Sequence, residues 1–237
     1  MIEIDAGYYY GIGAFETIAV KNGAALLLNE HLQRINHTLE YLKIPQMITA
    51  GTVMKFLNKE NPINGVLKIM VSEKNVKFST RENSYTKQMY DKGFSLCMCP
   101  FLRNETSPLT YHKTLNYAEN IIAKQTAQHN NMSEALFLNT KGEVSECSSS
   151  NIFFVKGKKL YTPLKECGIL SGIFRNLICT NEKVEETKIR ITDLHEFEEC
   201  FITNSIVGIM KVVSIEKYLF RSDELTIDLQ DKYKSFF

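Results

Sequence analysis

The chain has 237 residues, 44% of them hydrophobic, which is enough for one large domain or two modest ones with real cores. Its 28 basic and 27 acidic residues leave a formal net charge of +1, so it lacks the long-range field of a nucleic-acid or membrane-surface binder. The opening MIEIDAGYYYGIGAFE has no basic stretch before an apolar core, and no run approaches the roughly 20 apolar residues that span a bilayer; a cytoplasmic location is expected.

In chain order, FETIAV, Lys21-Asn22-Gly23 and AALLL predict a strand, a tight turn and a second strand, because Asn-Gly tolerates positive φ. Asn29 is expected to cap a helix through NEHLQRINHTLEYLKIP. There Leu32, Ile35, Leu39 and Leu42 follow helical spacing, Arg34 falls off the stripe, and Pro45 lies beyond the end. A second helix is predicted over Thr52 to Lys59, followed by the strand-like runs GVLKIMVSE, NVKFSTRE and GFSLCMCPFL. RNETSPLTYHK has no periodicity and contains Pro108. It reads as a connection between a smaller α+β domain over 1–104 and a larger domain over 105–237.

Beyond it NYAENIIAKQTAQHN reads as a helix, and EALFLNTKGEVSECSSSNIFFVKGKKLYTP alternates like three strands with turns at Thr140 to Gly142 and Lys156 to Lys158. Ser171 is expected to cap a helix starting GIFRNLI. Then follow a short strand KIRI, a short helix after Asp193, the strand-like ECFIT and MKVVSIEK, and a final amphipathic helix.

Several residues could carry chemistry. Lys113 ends the irregular connector and precedes a helix; a lysine in a pocket that lowers its pKa can act as a carrier or a base. Glu146 stands in EVSECSSSNIFF, whose small residues leave room for a planar ligand. A carboxylate beside a pyridine nitrogen keeps that nitrogen protonated, but an exposed strand position paired with a lysine would look the same in sequence. The loop entering the helix at Leu170-Ser171-Gly172-Ile173-Phe174-Arg175 offers backbone N–H groups to an anion. Thr203-Asn204-Ser205 offers hydroxyls and amides, although turn formation explains it equally well. Gly11-Ile12-Gly13 lacks the third glycine of a dinucleotide loop and precedes a strand. The five histidines lack zinc-hydrolase spacing, and no G-x-S-x-G occurs, so no metal is expected. The six cysteines are scattered, with only Cys97 and Cys99 close together, which points to reduced structural thiols.

In order, YYGIGAFET, NEHLQRI, HKTLNY, ALFLNTKGEVSECSSSNIFF, LSGIFRNLI and ECFITNSIVGI resemble the fold-type IV pyridoxal-phosphate family, the class-IV aminotransferases and their relatives. This family comprises branched-chain aminotransferases, D-amino-acid aminotransferases and aminodeoxychorismate lyases, and the likeness is closest to the lyase branch. The resemblance implies a two-domain α+β architecture like that of D-amino-acid aminotransferase, a pyridoxal 5'-phosphate cofactor at the domain interface, and a homodimer. It implies that Lys113 carries the cofactor, Glu146 pairs with the pyridine nitrogen, and Arg34 binds the phosphate together with the amides of Ile173 and Phe174, Asn204 and the Ser205 hydroxyl. Tyr117 or Asn116 would approach the phenolic oxygen. Tyr10, Phe15 and Thr17 would occupy the substrate-side strand, with Thr17 assisting proton transfer, and Arg81 or Lys68 would meet a substrate carboxylate. Phe174 stands where many relatives have threonine, which removes a hydroxyl but keeps the N–H.

The implied reaction is conversion of 4-amino-4-deoxychorismate to 4-aminobenzoate and pyruvate, in folate biosynthesis. The alternatives are a D-amino-acid or branched-chain aminotransferase, which uses the same lysine and cofactor, and a non-catalytic binding protein that kept the fold.

Overall fold

The computed structural model describes residues 1–237, and the chain divides into two compact units. The first comprises residues 1–84, 112–117 and 236–237. Helix α1 (Ala6–Tyr10) leads to β1 (Gly13–Lys21) and the two-residue β2 (Ala24–Ala25), then α2 (Leu28–Tyr41), α3 (Ala50–Glu60), β3 (Gly65–Ser72) and β4 (Val76–Arg81). The strands form one antiparallel sheet in the order β2-β1-β3-β4. Alternation assigns its faces. Ala14, Ile18 and Val20 of β1 and Leu67, Ile69 and Val71 of β3 pack on Leu32, Ile35 and Leu39 of α2 and on Val53 and Leu57 of α3. Each of the valine, leucine and isoleucine side chains contributes roughly 1.5–3 kcal/mol by leaving water. Phe15, Thr17 and their partners Met70 and Lys68 line the other face.

The second unit holds residues 85–111 and 118–235. It contains α4 (Lys87–Lys92), β5 (Phe94–Met98), α5 (Ala118–His129), β6 (Glu134–Leu138), β7 (Val144–Cys147), β8 (Asn151–Lys156), β9 (Lys159–Pro163), α6 (Ile173–Asn181), β10 (Val184–Thr187), β11 (Glu199–Asn204), β12 (Gly208–Ile215), β13 (Tyr218–Leu219) and α7 (Glu224–Tyr233). Its mixed sheet runs β10-β9-β8-β11-β12-β5-β6-β7, with β13 added to β12. Phe154, Cys200, Ile202, Met210 and Val212 lie in its core, and Ala123, Ala127, Ala135 and Phe137 join α5 to β6. No helix is long and apolar enough to cross a membrane.

The α+β architecture is as expected from the sequence, and several details differ. The division falls at residue 84, where 104 was expected, because β5 is hydrogen-bonded between β12 and β6 in the second unit's sheet. Residues 112–117 rejoin the first unit by pairing with β1: Phe15 N–H donates to the Lys113 carbonyl and Leu115 N–H to the Gly13 carbonyl. Helix α2 starts one residue before Asn29, and Leu27, at φ 50°, occupies the cap without a side-chain hydrogen bond. Gly172 takes the cap expected of Ser171. The three-strand run is four strands, broken at Ser148–Ser150, and the strand expected at KIRI lies earlier, over Val184–Thr187. Tyr10 belongs to α1 and not to the substrate-side strand; its side chain is exposed.

Candidate active site

In the first unit, pairing of residues 113–115 with β1 fixes Lys113 beside Phe15 of that strand. Its Nζ lies 4.3 Å from the centre of the Phe15 ring and 5.1 Å from that of Tyr117, and the two rings meet edge to face at 5.0 Å. The half-buried lysine thus sits against π-faces that favour a cation. His112 beside it stacks on Tyr41 of α2 at 4.1 Å, which ties the segment to the helix. Gly11 closes α1 at φ 70°, and a Cβ there would stand 3.2 Å from the Asn116 backbone, so the turn preceding β1 needs glycine for both reasons. Asn116 itself is exposed.

On the sheet's helix-facing side, Glu16 is fully buried. It accepts from Arg34 Nε at 2.7 Å, Arg34 Nη2 at 2.8 Å and His31 Nδ1 at 2.6 Å. Burial alone would raise its carboxyl, but the Arg34 and His31 charges and hydrogen bonds more than offset this and hold it well below the usual carboxylate range. Burial pulls His31 below its ordinary value against the opposing pull of Glu16, and the charges of Arg34 and Lys113 lower it further. Arg34 therefore points a bidentate-anchored guanidinium from α2.

On the opposite face Lys68 donates to Thr17 Oγ1 at 3.5 Å and lies 3.6 Å from the centre of the Phe15 ring. Arg81 is exposed, and its Nη1 donates to the Glu82 carbonyl. Its charge acts on Lys68 without direct contact.

In the second unit Glu146 projects from β7, buried. Its Oε2 accepts from the Leu170 N–H at 2.9 Å and from Asn151 Nδ2 at 3.3 Å, and its Oε1 lies 3.6 Å from Arg103 Nη2. Asn151 also donates to the Leu170 carbonyl, locking the chain that enters α6 against the carboxylate. A Cβ on Gly172 would fall 1.9 Å from Asn151 Oδ1, so only glycine allows this approach. The amides of Ile173 and Phe174 open α6, whose cap residue Gly172 supplies no side-chain hydrogen bond, and the positive end of the helix dipole suits an anion there. Asn204 accepts from the Ile206 and Val207 N–H groups and donates to Ser149 and Ser150, the turn-forming role weighed above; Ser205 follows it, half-buried. Thr203 Oγ1 is buried without a hydrogen-bond partner.

Lys113, Phe15, Tyr117 and Thr17 thus share the first unit with Arg34 and Arg81, while Glu146, Ile173, Phe174, Asn204 and Ser205 belong to the second. Sequence reasoning missed Glu16, His31, Asn151 and Arg103. Glu16 had a usable signal, a carboxylate inside the apolar FETIAV run ahead of a helix carrying His31 and Arg34. Arg103 had none, since a single arginine in an irregular connector gives no hint that it is buried over the Phe137 ring beside Glu146.

The model of the family described as amino-transferase class IV matches residues 13–215. The chain is similar to an aminodeoxychorismate lyase of Bacillus subtilis, 29% identical over 97% of this chain and 87% of that protein. It is similar also to a D-alanine aminotransferase of Listeria monocytogenes, 29% identical over 90% of this chain and 81% of that protein. In structure it resembles a putative 4-amino-4-deoxychorismate lyase of Legionella pneumophila, with a TM-score of 0.89 and 26% identity over 100% of this chain and 96% of that one. With the family match spanning most of its length, the chain belongs to amino-transferase class IV.

Proposed function

We propose that this chain is a pyridoxal-phosphate-dependent lyase that converts 4-amino-4-deoxychorismate to 4-aminobenzoate and pyruvate, a step of folate biosynthesis. The observation that carries the reading is the basic strand face beside Lys113, where Phe15, Thr17 and Lys68 stand together with the Arg81 charge nearby. A substrate with two carboxylates on an unsaturated ring suits cations set around an aromatic wall. The Bacillus and Legionella lyases, similar over nearly the whole chain, support it.

The residues present fit the cofactor. The Glu146 carboxylate is anchored by an amide, an asparagine and an arginine, α6 begins without a side-chain cap, and Thr203 leaves a buried hydroxyl unmatched. When bound, the protonated ring of pyridoxal phosphate withdraws electrons from the substrate carbon bearing the amino group and acidifies its C–H bond. Glu146 would hold the proton on the ring nitrogen. Arg34, the Ile173 and Phe174 amides, Asn204 and Ser205 would take the phosphate, and Tyr117 would serve the phenolic oxygen. Lys113 Nζ would hold the cofactor and would supply the amine that takes the proton from that carbon. Phe15 and Arg81 would orient the substrate, and Thr17 would assist the leaving group. We read the enzyme as cytoplasmic, consistent with six free cysteines. We read it as a homodimer, which the exposed Ile2, Ile4, Tyr8, Tyr9 and Tyr10 would help to form.

The similar D-alanine aminotransferase favours a second reading, amino-group transfer with the same lysine and cofactor. The test supplies holoenzyme with 4-amino-4-deoxychorismate and no keto acid. Release of 4-aminobenzoate with equimolar pyruvate is expected; strict dependence on a keto acid would overturn the lyase in favour of transamination. A colourless protein unchanged by borohydride would leave only a binding role.

A further inference from the structure

Lys68 is a half-buried cation of this face with no carboxylate in contact. It stands mid-strand in β3, directly opposite Thr17 of β1. Its Nζ reaches the Thr17 hydroxyl at 3.5 Å and sits 3.6 Å from the Phe15 ring centre; Lys113 Nζ lies 4.3 Å from the same centre. Two amines therefore share one aromatic ring, one of them linked to a hydroxyl that can relay a proton.

We propose that Lys68 is the acid of the lyase reaction, passing a proton through Thr17 to the departing enolpyruvyl group while Lys113 takes the proton from carbon. The proposal rests on the lyase reading above. Two substrate bonds break: the C–H at the amino-bearing carbon and the C–O joining the ring to the enolpyruvyl group. The C–H electron pair completes the aromatic ring, and the C–O pair leaves on oxygen. The proton from carbon goes to Lys113 Nζ. One proton from Lys68 Nζ, relayed by Thr17 Oγ1, ends on the methylene carbon of the departing enolate, giving pyruvate. No oxidant or reductant is consumed, and a net return of one proton from Lys113 to Lys68 through solvent resets the pair.

The surroundings suit an acid that must also release its proton. Burial and then the Arg81 charge bring Lys68 down from 10.5 to about 8, against the opposing pull of Glu16 behind the sheet. An ammonium so tuned is charged at neutral pH and close enough to it to give the proton up, which an ordinary lysine does poorly. The groups facing it are Thr17 on β1, Arg81 on β4 and Lys113 on the segment paired to β1, with Glu16 acting from the other side of the sheet.

Arginine separates a proton donor from a mere charge, because it keeps the charge and cannot release the proton near neutrality. Wild-type, K68R, K68M and T17V holoenzymes, matched by circular dichroism and cofactor absorbance, are compared for 4-aminobenzoate release between pH 6 and 10. The wild type should lose kcat/KM, which reports the free enzyme's groups, above about pH 8. K68R and K68M should each lose about 100-fold in kcat along with that alkaline limb, K68R with little change in KM, and T17V should fall in the same direction. A kcat for K68R within about twofold of wild type, or survival of the limb in either Lys68 variant, overturns the proposal. Independently of turnover, the pH dependence of Lys68 acetylation in the wild type, read by peptide mass spectrometry, should show a midpoint near 8; a midpoint at the ordinary lysine value of about 10.4 overturns it. A wild type that releases no 4-aminobenzoate fails the lyase reading and this proposal with it, whereas an active wild type matched by K68R fails the proposal alone.

Discussion

Lys68 and Lys124 are both half-buried lysines, yet their surroundings treat them in opposite ways. Lys124 on α5 lies 3.2 Å from Glu134 Oε1 and donates to Ser149 Oγ at 3.0 Å. Glu134 is fully buried and also accepts from the Ser148 and Ser149 hydroxyls and the Ser149 N–H. Burial disfavours the charge on both lysines and is the largest influence on each; for Lys124 the Glu134 charge, Tyr85 and the Glu134 hydrogen bond together more than reverse it and raise the amine, while Lys68, with Arg81 nearby and no carboxylate contact, is lowered. The difference separates two uses of a cation. Around Lys124 the network is matched and pins the Ser148–Ser150 turn, from which Ser149 and Ser150 hold Asn204. Around Lys68 the charge is left under-matched beside the residues proposed for substrate.

The largest expected effect lies at Glu134. Glu134→Leu strands the Lys124 ammonium and the three serines, and breaking a buried pair in this way costs about 3–5 kcal/mol, read as a lower urea midpoint. Lys124→Met in the same background should recover part of the loss, because the stranded charge goes with it. A Glu134 variant as stable as wild type would break the comparison.

Glu16 should come next. Its folded carboxyl is depressed, so its contribution to stability is fully present above the unfolded value of about 4.3 and is lost as pH falls through the lower folded value. Glu16→Gln should cost roughly 2 kcal/mol at pH 7, and the gap to wild type should close on acidification below about pH 4. A gap constant down to pH 2 would mean that Arg34 and His31 do not depend on the carboxylate charge.

Lys68→Met should have the opposite sign. A lysine whose folded value is lowered to about 8 destabilises the fold while it is charged, fully below that pH, and the penalty disappears as pH rises through the unfolded value. The variant should therefore be as stable as wild type or up to about 1 kcal/mol more so at pH 7, after discounting for its solvent-facing part, and the difference should vanish by about pH 10.5. Calorimetric melting of both proteins across that range measures it. Lower stability at pH 7 would show that packing of the lysine stem outweighs its unmatched charge.

Residues that answer to local rules were legible in the sequence. The turn at Asn22-Gly23 forms with both residues at positive φ, and Leu32, Ile35 and Leu39 face the core of the first unit as their spacing demands. Residues whose role is set by distant partners were not. β5 was read with the first unit because nothing in FSLCM reveals that its neighbours are β6 and β12, both much later in the chain. Ser148–Ser150 looked like part of one strand because the carboxylate that bends it, Glu134, lies 14 to 16 residues earlier. Leu27 holds the cap of α2 in a left-handed conformation that no side-chain rule selects, so attention fell on Asn29. At the site, Lys113 and Glu146 stood out through resemblance and local context, while Arg103 and Asn151 act through the carboxylate they hold and carry no pattern of their own.

The smallest effect should come from Lys156 and Glu196. Their contact has the same chemistry as Lys124 with Glu134, a lysine donating to a glutamate, but both side chains are about half exposed, at 49% and 46%. Water already satisfies either charge when the other is removed, so the pair gains little from meeting and holds two long side chains in one geometry. Lys156→Ala should leave the melting midpoint within the scatter of replicate scans, and any shift should shrink further in 0.5 M salt, where exposed charges are screened within a few ångströms. Glu134→Leu should remain strongly destabilised at the same salt, because ions do not reach a fully buried carboxylate. If added salt erased both effects alike, burial would not be what distinguishes the two pairs, and the contrast drawn between Lys124 and Lys68 would lose its physical basis.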